Sequence, residues 1–287
     1  MIRALLYFLT TLICFWGCKA EKVQIPAYVQ VDDYFMKVAR DGSQGSNSQK
    51  FTDMLVYGNG QSYGTFPIGS PIPVLASGST TLLIRGVVEI NGVSALRSDY
   101  EVMQGCDTVI TLTPGKVTLV KPVFEYFSGT AFRWLENFDN DSGSALGGSL
   151  IPKDSASHIS AAGQGYGGGN SKCLLLEPNS AQTTTLVQKV YAVSLPAQGV
   201  GTYLEFNYMG NTGIHFSITG EASGTNLDLG GVYPSAGWNK VYLDMTEQVS
   251  NLHDASGYYY IYIYSIYDPS VGPNQAFIDN IKIVTKQ

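Results

Sequence analysis

Tyr258-Tyr259-Tyr260-Ile261-Tyr262-Ile263-Tyr264-Ser265-Ile266-Tyr267 is the stretch that decides the fold class, because its apolar pattern has a period of two. In an extended strand successive side chains point to opposite faces. Tyr258, Tyr260, Tyr262 and Tyr264 therefore share one face, and Tyr259, Ile261 and Ile263 the other. Isoleucine belongs in a core, which assigns the four tyrosines to the opposite, wetter face. Sugar rings stack their C–H faces on aromatic planes while their hydroxyls meet polar side chains, so such a face is a usable glycan platform. Trp238 and Tyr242 on another strand are candidates to extend it. The other reading is that the tyrosines coat a second buried face, between domains or under a loop.

The rest of the chain repeats this texture. Charged residues make up 14% of the 287, while Gly (32) and Tyr (19) are abundant, which suits short strands joined by tight turns. Toward the C-terminus strands are expected over Phe132 to Phe138, Lys172 to Leu176, Thr183 to Tyr191, Tyr203 to Met209, Ile214 to Thr219, Trp238 to Leu243 and Ala276 to Val284. Met245 to His253 offers the one weak helical or turn-like interruption, and Asp139 to Ser171 reads as a long polar, Gly-rich passage. Strands at this density, with apolar first and last members, suggest a jelly-roll sandwich over 131–287 in which the terminal strands pair.

Toward the N-terminus, Tyr28 to Val31, Tyr34 to Val38, Phe51 to Tyr57, Gln61 to Phe66, Leu82 to Ile90, Val102-Met103, Thr108 to Leu112 and Val117 to Tyr126 also read as strands. Gly58-Asn59-Gly60 is a hairpin turn, because Asn-Gly accepts positive φ. Pro67, Pro71 and Pro73 hold an extended crossing segment. Short strands with regular turns indicate an immunoglobulin-like sandwich over 27–127, joined to the second domain through Ser128-Gly129-Thr130. The expected fold is all-β, two β-sandwich domains in tandem.

Ahead of both lies Met1-Ile2-Arg3, an uncharged apolar run from Ala4 to Trp16, then Gly17-Cys18. A basic head and a run of ~13 apolar residues form a secretory signal over 1–17, too short to span a ~30 Å hydrocarbon core. A small residue before a cysteine at its end resembles the lipobox of bacterial lipoproteins. The resemblance implies cleavage before Cys18, lipid modification of that thiol and a tether over 18–26. An ordinary signal peptide cut nearby is the alternative. Cleavage there leaves 16 basic and 23 acidic residues, a net charge of −7. With a pI near 5.0 and no basic cluster, nucleic acid is not an expected partner. No Lys/Arg block and no second long apolar run is present, so the N-terminal lipid would be the membrane attachment. Two cysteines remain, Cys106 and Cys173; free thiols suit them better than a disulfide between domains.

Three short frames then carry a family resemblance. They are Phe132-Arg133-Trp134-Leu135-Glu136-Asn137-Phe138-Asp139, Gly168-Gly169-Asn170-Ser171-Lys172, and Ala276-Phe277-Ile278-Asp279-Asn280-Ile281-Lys282-Ile283. Together they resemble jelly rolls of the carbohydrate-binding-module type. Phe51-Thr52-Asp53-Met54-Leu55-Val56-Tyr57 and Asn91-Gly92-Val93 resemble the immunoglobulin-like front of Bacteroidota lipoproteins. The resemblance implies an outer-membrane lipoprotein of a Gram-negative envelope that handles glycan. The single acid Glu21 after the cysteine leaves open which membrane face displays it. It also implies a structural calcium site: with first and last strands adjacent, Glu136 or Asp139 would approach Asp279, and carboxylate oxygens suit Ca²⁺. The alternative is that these carboxylates cap turns or pair with Lys282.

Catalytic signatures are weak. Gly163-Gln164-Gly165-Tyr166-Gly167-Gly168 has dinucleotide-loop spacing but precedes a strand, whereas a pyrophosphate site needs a helix N-terminus. His158, His215 and His253 are scattered, without the close spacing zinc wants. His253-Asp254 and Asp154 with His158 lack a nucleophile elbow. Glycoside hydrolysis needs two carboxyls facing across a cleft, and the strand-borne candidates Glu125, Glu136, Glu205 and Asp244 cannot be paired by spacing. The expected function is non-catalytic glycan binding at the cell envelope. Alternatives are an interaction subunit that uses the tyrosine face for protein contact, and an accessory or weak glycoside hydrolase.

Overall fold

The computed structural model describes residues 24–139, 149–196 and 198–286; the expected signal sequence and Cys18 lie outside them. Among the described residues eleven strands precede the junction. They are β1 (Ala27–Gln30), β2 (Phe35–Met36), β3 (Asp53–Gly58), β4 (Gln61–Pro67), β5 (Ile72–Val74) and β6 (Gly78–Glu89). Then come β7 (Arg97–Asp99), β8 (Met103–Gln104), β9 (Cys106–Leu112), β10 (Val117–Leu119) and β11 (Val123–Tyr126). An antiparallel sheet runs β4-β3-β6-β7, with β9 also on β6; two three-stranded sheets, β10-β1-β5 and β2-β11-β8, complete the unit. Val29, Ile72, Phe124, Met54, Val56, Leu82 and Ile84 from these sheets meet in one core. Asn59 and Gly60 both take positive φ, 51° and 78°, and Gly58 pairs Gln61, so the Asn-Gly hairpin has the two-residue form whose twist suits its strands.

Twelve strands follow: β12 (Ala131–Glu136), β13 (Leu150–Pro152), β14 (Ser157–Ile159), β15 (Leu174–Leu176), β16 (Thr184–Lys189) and β17 (Val193–Ser194). They continue with β18 (Thr202–Gly210), β19 (Ile214–Gly220), β20 (Asn226–Val232), β21 (Ser235–Asp244), β22 (Tyr258–Ile266) and β23 (Ala276–Thr285). One sheet is ordered β14-β15-β23-β18-β21, with β12 also on β23; the other is β13-β16-β22-β19-β20, with β17 also on β22. The first and last strands pair, Glu136 opposite Ile281 and Ala131 opposite Thr285. Phe206, Phe216, Ile218, Ile261, Ile263, Ile278 and Ile283 fill the space between the sheets. Burying each side chain of this size contributes about 1.5–3 kcal/mol. The fold is all-β sandwich, as expected from alternation.

Two details differ from the sequence reading. The Asp139–Ser171 passage contributes β13 and β14, and Asn226–Val232 forms β20. These strands were missed because their runs are short or Gly-interrupted and carry no apolar alternation long enough to register. Thr246–Leu252 forms α1, a helix of under two turns ended by His253 in a left-handed conformation.

The two halves share more than a linker. Tyr203, Tyr242 and Val284 of the second half belong to the core of the first. The Asn91 amide donates to the Tyr242 carbonyl at 2.7 Å, and the Asp244 amide to the Asn91 side chain at 2.9 Å. At the centre of the contact Glu205 is fully buried. Its carboxylate accepts from Tyr100 at 2.8 Å and Tyr126 at 3.0 Å and pairs with Lys240 at 3.0 Å. Burial alone would raise this carboxyl, but the Lys240 and Lys282 ammoniums and the hydroxyls outweigh it and hold it below its ordinary value. Lys282, buried by the same packing, is lowered to about 7. Among the described residues Cys106 and Cys173 form no disulfide, the first half-buried and the second buried.

Candidate functional site

β22 is the central strand of its sheet, and its burial alternates as its sequence does: Tyr259, Ile261 and Ile263 face the core. Tyr258 is 46% exposed, while Tyr260, Tyr262 and Tyr264 are half-buried on the outward face. Register cannot slip, since one residue of shift would turn the isoleucines to water. Spaced two residues apart, the four rings span about 20 Å of strand. Because β22 is paired on both sides, its neighbours complete the surface. Leu186 and His215 flank Tyr264, Gln188 and Ser217 flank Tyr262, and Thr219 lies beside Tyr260. Asp228 and Asn226 follow on β20, opposite Ser217 and Thr219. His215 stacks on Tyr264 with centroids 5.1 Å apart and planes 19° from parallel. The Asn226 amide donates to Ser217 at 3.2 Å and Thr219 at 2.8 Å, which fixes that corner. Burial, with Asp228 nearby, raises the Tyr264 hydroxyl above its ordinary value, so it stays a donor. The face thus offers aromatic planes beside amide, imidazole, hydroxyl and carboxylate groups.

His215, Gln188, Asp228 and Asn226 did not figure as site residues in the sequence. Alternation puts each on an outward face of its own strand, but only the sheet order makes those faces one.

Trp238 and Tyr242 do not extend this surface. Both belong to β21, in the other sheet. Tyr242 is 1% exposed and lies in the junction between the halves, donating to Gln49 Oε1 at 2.7 Å. Trp238 packs with Met209, Cys173, Leu175 and Phe277, edge-on to Tyr166 at 5.9 Å. Period two fixed their parity and said nothing of which sheet they would join.

Glu136, Asp139 and Asp279 sit around a cleft at the junction, yet each carboxylate is taken by turn donors. Glu136 accepts from the Phe138 amide at 2.8 Å and from Ser149; Asp139 accepts from the Lys172 amide at 3.0 Å; Asp279 accepts from the Tyr166 amide at 2.8 Å. Among the described residues no group of three or more His, Cys, Asp or Glu side chains could hold a metal ion. These hydrogen bonds are those of the capping reading of the three carboxylates.

Burial raises Asp279 to about 7, against its amide bonds and with Asp139 adding repulsion. From its unfolded value of 3.8 up to about 7 the folded state keeps a proton that the unfolded chain has released. Its contribution is thus fully present below 3.8 and is lost as pH rises toward 7, on the order of 4 kcal/mol. Asp279→Asn should remove that slope. Between pH 4 and pH 8 the variant should gain on the wild type by about 10 °C in Tm. Parallel melting curves across that range would show that Asp279 is already ionised when folded.

The other strand carboxylates have partners of their own. Glu125 is bridged to Lys37 at 3.0 Å on the surface, and Glu205 is consumed in the buried junction. The Gly163–Gly168 segment is a loop whose amides at Gly163 and Gly165 both donate to the Ser171 carbonyl, and strand β15 follows it. Among the described residues no helix is long and apolar enough to cross a membrane.

No family model matches the chain, and no curated protein sequence matches it. Its β-sandwich is similar to solved carbohydrate-binding modules. A family 29 module variant complexed with cellulohexaose has 12% identity and a TM-score of 0.36, covering 55% of this chain and 92% of its own. A family 61 module in complex with β-1,4-galactotriose has 11% identity and a TM-score of 0.34, covering 53% of this chain and 99% of its own. At these identities and scores the likeness does not extend to ligand or site residues.

Proposed function

We propose that this chain is a lipid-anchored envelope protein whose C-terminal sandwich binds glycan without transforming it, through the outward face of β22. The observation that carries the reading is the tyrosine row itself. Four rings stand on a central strand, backed by a dry core and flanked by His215, Gln188, Asp228 and Asn226. A sheet that places its largest side chains in partial contact with water presents stacking planes at little entropic cost, since the neighbouring rungs hold the rings. An open face buries little of a ligand, so each contact is weak, and many copies on one membrane would raise the effective concentration. The anchor at Cys18 and the outer-membrane location are part of this proposal and rest on the N-terminal sequence.

The test is a glycan array followed by titration of the double variant Tyr260→Ala, Tyr262→Ala. Each lost ring contact is worth about 0.5–1.5 kcal/mol. Together they should weaken binding of an oligosaccharide by roughly 10–100-fold, with the melting profile retained. Undiminished binding by the double variant would remove the platform. If the face instead docks a protein, soluble sugar will fail to displace that protein.

A further inference from the structure

The cleft between the halves plays no part in that platform, and its construction is that of a second ligand site. It encloses about 740 Å³, a volume typical of small-molecule pockets (~300–1,000 Å³). One wall is the front-half loop around Ser46 and Asn47; the other is built from the end of β12 and from β23, with Tyr166 at its side.

Three observations point to a ligand. Asn280 lines the cleft and is 9% exposed, yet its side-chain amide has no hydrogen-bond partner among the described residues. The Ser46 hydroxyl, in the opposite wall, is buried and also without a partner. Buried polar groups are ordinarily satisfied, so the Ser46 hydroxyl stands out behind its wall; the Asn280 amide, unpaired and open to the cleft, is the group a ligand there would meet first. The third observation is backbone strain. Phe138 and Asn280, at φ 58° and 52°, are two of the non-glycine residues in the left-handed region, and they flank this same cleft. The strain at Asn280 has an identifiable structural cause. Asn207 faces Asp279 and Glu205 faces Lys282, so two residues of β23 stand opposite Phe206 alone. That bulge breaks the alternation and re-aims a side chain, as bulges beside functional sites do.

The lining also restricts the ligand class. Asn280, Asn137 and Asn47 offer amides, Ser46 a hydroxyl, and Tyr166 a partly exposed ring steadied by Trp238. Glu136 and Asp139 contribute carboxylates, while the Lys282 ammonium is already held by the Ser46 carbonyl at 2.5 Å and Tyr126 at 3.2 Å. Such a surface disfavours anions and suits a neutral molecule with many hydroxyls and one apolar face. We propose that the junction cleft is a second saccharide site, which takes the terminal unit of a neutral glycan. Its two walls would stop an extended chain that the open tyrosine face could accept. The proposal deepens the glycan reading above by assigning the same ligand class to a separate place.

The experiment titrates the full chain in detergent with glucose, galactose, mannose, xylose and N-acetylglucosamine, following backbone amide shifts by NMR. The variants are Asn280→Gly, which keeps the left-handed backbone and deletes the amide, and Tyr166→Ala on the exposed loop. At least one monosaccharide should bind and shift the amides near residues 166 and 280. Its affinity should fall tenfold or more in both variants and be unchanged in the Tyr260→Ala, Tyr262→Ala protein. The proposal is overturned if no monosaccharide binds, if both cleft variants bind as the wild type does, or if the tyrosine double variant loses the monosaccharide equally. Failure of the platform is seen separately, as oligosaccharide binding that survives the tyrosine double variant.

Discussion

Glu205→Ala should destabilise the protein by roughly 3–5 kcal/mol, the cost of leaving buried charge without its counter-ion. The carboxylate sits with no solvent exposure between the Lys240 ammonium at 3.0 Å and Lys282, itself 1% exposed. Tyr100 and Tyr126 donate to it from the front half. Its removal orphans the Tyr100 hydroxyl and the Lys240 ammonium and takes the acceptor from the Tyr126 proton, on both sides of the junction at once. In a chain of this size the midpoint should drop by about 10 °C. Raising the pH should narrow the deficit, because Lys282, already lowered to about 7, sheds its proton more readily still once the carboxylate is gone. Replacing all three charges together, as Glu205→Leu, Lys240→Met and Lys282→Met, should restore most of the loss, since an apolar junction of similar volume needs no pairing. A single-variant effect below ~1 kcal/mol would mean that water already reaches this network.

Gly210→Ala should be comparably damaging for a different reason. Gly210 has φ 146°, and a Cβ there would stand 2.2 Å from the Gln275 carbonyl oxygen and 2.9 Å from the Ala276 Cα. Both obstacles are backbone, of Gln275 just before β23 and of Ala276 at its start, and cannot rotate aside as a side chain would. Gly210 lies where the β18–β21 register shifts and pairs with Ala276 on its other side, so β18 and the start of β23 would have to separate. Overpacking and an unsuitable φ together should cost at least ~3 kcal/mol. Two controls separate the terms. Gly167 has φ 88° and open space, so Gly167→Ala should show the conformational cost alone, ~1 kcal/mol. Gly237→Ala, with open space and no positive φ, should be close to neutral. Chemical denaturation of the three variants gives the ranking, and equal effects at Gly210 and Gly167 would refute the clash.

Much of the candidate site was legible in the chain, and the missing part has a common cause. Tyr258 to Tyr264 announced their own geometry, because strand alternation depends on the backbone alone. His215 and Asn226 belong to the same surface but gave no signal, since their membership comes from pairing between β22, β19 and β20. Trp238 and Tyr242 resemble the platform residues in type and parity and still fall on the other sheet. The cleft was less legible still. Asn280 reads as one more outward residue of a terminal strand until the bulge in β23 turns it.

By itself, the amino-acid order determined that the chain is built of strands, where the Asn59-Gly60 hairpin turns, that the end strands meet, and which half of β22 is dry. Each of these follows from local rules: period, φ preference and the need to bury isoleucine. Tertiary structure decided which strands are neighbours, and with that everything that depends on two distant residues meeting. Glu205, Lys240 and Lys282 look like solvated rim residues one at a time. They become a buried junction because sheet order is set by burial summed over both halves, and no single segment carries that sum.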